Sequence, residues 1–553
     1  MKEKIKPLLS RICLRIATYK YLLKNIFLPW PYISVLMPVY NTKPQVLQHA
    51  IESVLSQTYF KWQLCIVDDG STDQAVIDVL KKYSRKSLRI KVLLKNKNEG
   101  ICTTLNQAAR MARGNYIGVL DHDDELAPET LFEYSRLIVK HPDADCIYCD
   151  EDKIDENGKY CDAWYKSDWN PDLSLSFNYV MHFAVYRKSL YHKMGGVRKR
   201  CEGSQDYDLL LRCSEVTDKI YHISKILYHW RKSEASTALK PEAKPQIFEQ
   251  GLWALNDALK RRGIQGTAVH AENAWLGVYK VNRKIVKKLS CSILVNYRGC
   301  SKGLYRLLDS IENNFDVSVY EIIICSDSGK TMQDLTFIDT YKNIKIVQTN
   351  GSVSVPKAYN TAAKLATGDV LFFLDDSIEL VSQESCTCLL EHVQRKRIGA
   401  VGGKVYYKNK LVEHAGIIFG PFNMMGFAHR ATPDDPGYMG LKSMITNYSA
   451  VMGTGMMTRR SVFNQAKGFN EAFKKAYWDA DYCLRLRNKN YNVTYTPYAK
   501  FIHHIPVTPL EQMIVEPEAT YFRELWQHVI DDDPFFNENF SRHLEDFSLR
   551  RNL

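Results

Sequence analysis

The stretch LNQAARMARGNYIGVLDHDDEL, Leu105 to Leu126, changes its periodicity half-way. Up to Met111 its apolar and small residues recur at helical spacing. From Tyr116 to Leu120 they run together, as in a buried strand. Asp121, Asp123 and Asp124 then arrive within four positions. Carboxylates this close repel one another unless a cation lies among them, and hard divalent ions such as Mg²⁺ or Mn²⁺ take oxygen ligands of this kind.

The surrounding chain keeps the same alternation. ISVLMPVY (Ile33 to Tyr40) reads as a buried strand, QVLQHAIESVLSQ as an amphipathic helix, and WQLCIVDDGS as a strand ending in Asp68 and Asp69. Polar residues collected at the carboxyl ends of strands describe an α/β fold whose parallel sheet binds its ligand along that edge. The pattern then repeats. YNTAAKLATGDVLFFLDDSIEL (Tyr359 to Leu380) aligns with the first stretch without a gap, so Asp375 faces Asp121, Asp376 faces His122, Ser377 faces Asp123 and Ile378 faces Asp124. Asp327 answers Asp69, Asn360 answers Asn106, and Asp479 in WDADYCLR answers Asp206 in QDYDLLLR. Two copies roughly 260 residues apart are expected. The basic segment VNRKIVKKLS (Val281 to Ser290) marks the join. The expected domains are 1–30, 31–285 and 286–553, since 553 residues exceed what one core serves.

Of the net charge of +12, much lies at the front, where Lys2, Lys4, Lys6, Arg11, Arg15, Lys20 and Lys24 oppose only Glu3. On a helix, Ile5, Leu8, Leu9, Ile12, Ile16, Tyr19 and Leu23 fall on one stripe with basic residues along both edges. Two readings follow: the stripe sinks into an anionic membrane surface, or it packs on its own domain behind a solvated basic rim. No apolar run approaches the roughly 18 residues that span a bilayer, and no signal peptide is visible. The 14 cysteines read as free thiols of a reducing compartment; CIYC (Cys146 to Cys149) has no second pair and reads as strand. Nucleic acid is not an expected partner, because no basic stretch is interleaved with aromatics.

LMPVYN, IVDDGSTD, NEG, LDHDDEL, YCDEDKID, EGSQDYDLLLR and LYHWR, in this order, resemble the signatures of family 2 glycosyltransferases of GT-A fold. The resemblance runs from Tyr32 to about Ala238. GTGMMTRRSVF, GFNE, DADYCLRLR and TPYAKFIHH in the second copy resemble the bacterial members that build O-antigen and other surface polysaccharides. The resemblance implies two tandem GT-A domains, Rossmann-like nucleotide-diphospho-sugar transferases, behind a short basic amphipathic helix. It implies inverting, metal-dependent transfer from a UDP- or dTDP-sugar to a lipid-linked or oligosaccharide acceptor. The cytoplasm is the expected compartment, with the cytoplasmic face of the inner membrane within reach of the front helix.

By the same resemblance Asp123 is a ligand of Mg²⁺ or Mn²⁺, with Asp121 and Asp124 close to the ribose and phosphates. Tyr40 stacks on the base and Asp69 accepts a hydrogen bond from a ring N–H. Asp327 and Asp375 are the donor-site counterparts in the second copy. Asp206 matches the catalytic base and Asp479 its counterpart, since a carboxylate within reach of the acceptor hydroxyl can take its proton. Asp208 reads as capping or orienting, and His229 as a late metal or diphosphate contact. The run DEDKIDE from Asp150 lies near donor or acceptor, or forms a solvated loop.

The second copy departs from the pattern: Ser377 replaces Asp123, while histidines recur at His503 and His504. Either Asp376 takes over the metal through a small shift, or the copy has lost transfer and serves as a glycan-binding or scaffolding module. Sugar nucleotidyltransferases would carry a Gly-rich loop after the first strand, and processive synthases would carry membrane helices and a QxxRW element. Neither is present.

Overall fold

A computed structural model describes residues 2–232, 245–272, 274–315, 320–327, 336–349, 353–507 and 514–550. The chain forms two compact units. The first comprises Met1–Trp169, Phe177–Ile264 and Trp275–Gly277, and the second Asn170–Ser176, Gln265–Ala274 and Val278–Leu553.

In the first unit the strands Ile90–Leu94, Trp62–Asp68, Ile33–Val39 and Tyr116–Val119 lie parallel in that spatial order. Every residue of Ile33–Val39 and Trp62–Asp68 is buried, which is why these strands are unbroken apolar runs rather than alternating ones. The helix Pro44–Leu55 opens on a proline, whose missing N–H costs nothing in the first turn, and buries Leu47, Ala50, Ile51 and Val54. The helix Gln74–Lys86 is capped by the Asp73 carboxylate, which accepts from the Ala75 N–H, and buries Val76, Val79, Leu80 and Tyr83. The helix Ile101–Met111 leads back to Tyr116–Val119. Antiparallel and parallel strands extend the sheet through Val185–Arg187, Cys146–Ile154, Ile220–Arg231 and Glu125–Leu126. The strand order reverses between Ile33–Val39 and Tyr116–Val119, and a ligand crevice forms beyond strand ends at such a point. Tyr40 follows the first of these strands and Asp121 the second.

The second unit repeats this order with Ile344–Thr349, Tyr320–Asp327, Cys291–Tyr297, Val370–Asp375, Met456–Arg459, Ile398–Tyr407, Asn492–His503 and Ile378–Leu380. The duplication holds down to single hydrogen bonds. Ser34 Oγ accepts from Gly114 N at 2.9 Å, and Ser292 Oγ from Gly368 N at 2.9 Å. Asn106 clasps both backbone groups of Val197, and Asn360 those of Phe469. Asp208 pairs with Arg212, and Asp481 with Arg485.

The front helix, Lys2–Lys24, does not pack on its unit through the described part of its apolar stripe. Thr18 and Leu22 are buried, and the Tyr21 ring packs edge-on against Trp30 and Phe132. The described residues of the stripe face outward: Ile12 is 45% exposed, Ile16 50%, Tyr19 60% and Leu23 49%, while the side chains of Ile5, Leu8 and Leu9 lie outside the described residues. Among the described residues no helix is long and apolar enough to cross a membrane. Cys146 and Cys149 are buried in the strand Cys146–Ile154.

Candidate active site

In the first unit Asp124 is held deep in the protein. The Tyr228 hydroxyl donates to its Oδ2, and the Arg231 N–H donates to its Oδ1 at 2.8 Å. The carboxylates of Asp121 and Asp123 accept no hydrogen bond from a described residue. Ligand atoms of Asp121, Asp124 and His182 lie within 4.8 Å of one another. Burial, together with the neighbouring acids, pushes the carboxyls of both Asp121 and Asp124 upward. Burial opposes the charge of His182, but Glu151, Asp124 and Asp121 outweigh it and bring that ring to about 9. The carboxylates of Asp121 and Asp123, which accept no such hydrogen bond from a described residue, suit a hard divalent cation.

Sequence reasoning missed His182, a lone histidine in NYVMHFAVY. Pairing of Val185–Arg187 against Tyr116–Val119 carries it to the end of the strand that delivers Asp121. Gly118 permits this, since a Cβ there would sit 2.5 Å from the Phe183 ring. Behind His182, Glu151 pairs with the buried Lys166 at 2.8 Å, and Lys166 Nζ also donates to His182 O at 3.1 Å. The acidic run from Asp150 is divided: Asp150, Glu151 and Asp152 are buried in the strand Cys146–Ile154, whereas Asp155 and Glu156 lie in the solvated turn that follows. His229 is not one of the ligands in the Asp121 group. Its Nδ1 is 2.6 Å from Asp152, and its ring stacks on Tyr160.

Asp206 is half-buried in the first turn of Gln205–Val216, where Asn178 Nδ2 donates to its Oδ2 at 2.8 Å. Its charge is felt at Asp121. Asp208 points elsewhere, to Arg198 and Arg212, and orients the helix. Tyr40 is 45% exposed at the strand edge. Asp69 is already engaged: Lys95 Nζ and the N–H groups of Glu99 and Gly100 donate to it. Burial raises its carboxyl, but these donors outweigh burial and hold it below the ordinary range.

The second unit arranges its matching residues differently. Asp375 pairs with the Arg298 guanidinium and accepts from the Ser377 N–H and hydroxyl and from Thr454 Oγ1. Asp376 Oδ2 accepts the N–H groups of Arg298 and Cys300, each at 2.9 Å. Asp479 accepts from Gly453 N at 2.7 Å and Ala480 N at 2.8 Å and lines a cavity with Phe427, Tyr477 and Trp478. Burial raises its carboxyl. His503 does not stand where His229 does: Glu125 faces His229, whereas Glu379 faces Ile502. Asp327 closes its strand, its side chain outside the described residues.

The family model for Glycosyl transferase family 2 matches residues 34–195 and, again, 292–466. The chain belongs to this family. Both matches start within the first strand of a unit's mixed sheet, so the family's GT-A fold is present twice. An uncharacterized protein y4gI of Sinorhizobium fredii is 33% identical over 94% of this glycosyltransferase-family chain and 58% of its own length. The O-antigen biosynthesis protein RfbC of Myxococcus xanthus is 29% identical over 94% of the chain and 41% of its own. The chain thus spans about half the length of these relatives. A structure of S. aureus TarS 1-349 in complex with UDP-GlcNAc is similar over 42% of the chain and 72% of its own, at 20% identity and a TM-score of 0.33.

Proposed function

We propose that the first unit transfers a sugar, with inversion, from a UDP- or dTDP-linked donor to a growing surface glycan, lipid-linked or oligosaccharide. The observation that carries this reading is the set of unpartnered carboxylates, Asp121 and Asp123, beyond the strand-order reversal, with Asp206 in the same electrostatic field. Asp123 would hold Mg²⁺ or Mn²⁺, with Asp121 and Asp124 close to the ribose and phosphates, and the ion would neutralise charge on the leaving diphosphate. His182 stands beside Asp121 and Asp124, within reach of an ion that those acids would hold. Tyr40 offers an exposed ring at the strand edge on which the base stacks. Asp206, oriented by Asn178, takes the proton of the acceptor hydroxyl as that oxygen attacks the anomeric carbon.

A surface polysaccharide as product is supported by the relative named for O-antigen biosynthesis and by a Pasteurella multocida hyaluronan synthase, 29% identical over 42% of this chain and 24% of its own. Peripheral attachment at the cytoplasmic membrane face is supported by the outward Ile12, Ile16, Tyr19 and Leu23 of the front helix and by its basic residues.

The purified chain, offered a panel of UDP- and dTDP-sugars with and without Mn²⁺, should release nucleotide with one or few donors and only with the ion. Asp123→Ala should abolish that release while the far-UV spectrum and unfolding midpoint stay unchanged. Full turnover by Asp123→Ala at saturating Mn²⁺ would refute the assignment.

A further inference from the structure

The parallel strands Ile90–Leu94, Trp62–Asp68, Ile33–Val39 and Tyr116–Val119 hold the candidate active site of the first unit beyond their carboxyl ends. The segments that lead into these strands meet at the opposite edge. Lys61 O accepts there from Ile33 N at 3.1 Å, Tyr32 O from Asn115 N at 2.8 Å, and Phe60 O from Arg89 Nη1 at 3.2 Å. The front helix runs into this edge. Its Arg15 Nη2 donates to Ser56 O at 3.4 Å, and beyond its end Trp30 packs against Tyr59 with ring centroids 6.2 Å apart.

Two observations set this edge apart. Its apolar side chains stand out in solvent: Phe27 is wholly exposed, Leu88 90% and Phe60 54%, and each precedes a different one of these strands. Single exposed apolar residues need no explanation, but several on one rim, with the outward Ile26 beside them, form a patch. The second observation is charge. Residues 12–32, 56–61, 84–89 and 110–115 contain no Asp or Glu. They contribute Lys24, Lys61, Arg85, Lys86, Arg110 and Arg113, none of which pairs with a carboxylate of a described residue. Cations gathered this way repel one another, and an anionic surface relieves that repulsion. The basic rim stops at the next strand of the same direction, Cys146–Ile154, which Asp143 and Asp145 precede.

We propose that this strand-start edge is the surface by which the first unit sits on an anionic lipid bilayer, so that the donor crevice opens away from the membrane. Phe27, Phe60 and Leu88 enter the boundary between headgroups and acyl chains, while the surrounding cations meet the headgroup phosphates. Leu88 and Ile26 offer nothing to a soluble polyanion, which is why the lipid surface is the better fit. The strand Ile33–Val39 has 7 residues rising about 3.3 Å each, so the crevice stands about 20 Å above this edge. An acceptor anchored in the same bilayer has to span that height. The hydroxyl that attacks therefore belongs to the free end of an oligosaccharide, not to a sugar beside the lipid. This rests on the reading that the first unit attaches peripherally, and adds which surface touches the membrane and which acceptors reach the site.

The test measures co-sedimentation of the full chain with vesicles of equal parts phosphatidylglycerol and phosphatidylcholine. Phe27→Ser/Phe60→Ser/Leu88→Ser should weaken binding about tenfold or more, since three apolar side chains lose their place in the bilayer. Arg85→Gln/Lys86→Gln/Arg113→Gln should weaken it about tenfold or more at low salt and flatten its salt dependence. Both variants should keep the native unfolding midpoint and the native nucleotide release in solution, because these side chains lie at the edge away from the crevice. On vesicles, amide exchange should slow across residues 24–30, 58–62 and 86–90 and stay unchanged across 118–126. Edge variants that bind like the native chain, while Ile16→Glu/Leu23→Glu does not bind, would overturn the proposal and leave attachment through the helix standing. Protection across 118–126 on vesicles would overturn it too, as would binding to heparin without binding to vesicles. A native chain that binds no anionic vesicle would remove peripheral attachment itself, and this proposal with it.

Discussion

Asp206 and Asp208 sit two positions apart on one helix, yet their surroundings divide their tasks. Asp208 is buried between Arg198 and Arg212 and holds the helix in place. Asp206 has one amide donor and remains half-exposed, as a group that must meet a substrate proton does. Asp206→Asn keeps the shape and the contact to Asn178 but cannot accept a proton. Turnover should fall about 10²-fold or more with donor affinity kept. Single-turnover kinetics beside donor titration check this, and a collapse of affinity with chemistry intact would make Asp206 a binding residue. His222 allows a stability test at the same scale. Its side chain is only 1% exposed, with Nε2 2.8 Å from Asp150 and Nδ1 3.1 Å from Asp168. Burial lowers its affinity for a proton, but the two carboxylates outweigh burial and raise the ring to about 9. A pKa raised on folding stabilises fully below the unfolded value near 6.5 and loses that contribution as pH climbs through 9. Urea midpoints of the native chain should therefore drop between pH 6.5 and 9.5, and those of His222→Gln should drop less.

The front helix divides its surface between two partners. Leu22 is 7% exposed within the hydrophobic core, so Leu22→Ala should cost about 2 kcal/mol or more of stability. Ile16 and Leu23 point outward, and Ile16→Glu/Leu23→Glu should leave the unfolding midpoint within about 0.5 kcal/mol. The same double substitution should abolish binding to vesicles of anionic lipid. In the native chain that binding should weaken with salt, because the charge contribution is screened beyond about 10 Å at 0.1 M. Salt-independent binding, or binding equal in the double variant, would point to a protein partner or to none. Loss of self-association in the variant would point to a second copy.

Across the whole molecule, one fold is used twice with different electrostatics. The first unit leaves its acids short of partners, whereas the second pairs them internally with Arg298, Ser377 and Thr454. Asp479, held by two backbone N–H groups beside a cavity, is the second unit's candidate base. If the second unit transfers sugar, Asp479→Asn should remove one of two products while Asp206→Asn removes the other, which mass analysis of the glycans would reveal. Loss of every product with Asp206→Asn, and of none with Asp479→Asn, would leave the second unit as a binding module.

Local pattern was enough for the architecture. Buried parallel strands are contiguous apolar runs, helices alternate at 3.6 residues, and a duplicated chain repeats both, so the α/β class, the tandem GT-A units and the positions of Asp121, Asp123, Asp206 and Asp479 were legible in order along the chain. What lay beyond reach was whatever depends on strands distant in sequence lying side by side. His182 joins Asp121 only because Val185–Arg187 pairs with Tyr116–Val119. Arg298 settles on Asp375 only because Cys291–Tyr297 and Val370–Asp375 are neighbours. The helix period likewise marked an apolar stripe without deciding which face the domain would take. That choice went to Thr18 and Leu22, because Trp30 and Phe132 offer Tyr21 an aromatic seat between them. Charge and burial in a folded chain are set by neighbours in space, and sequence order lists only neighbours along the chain.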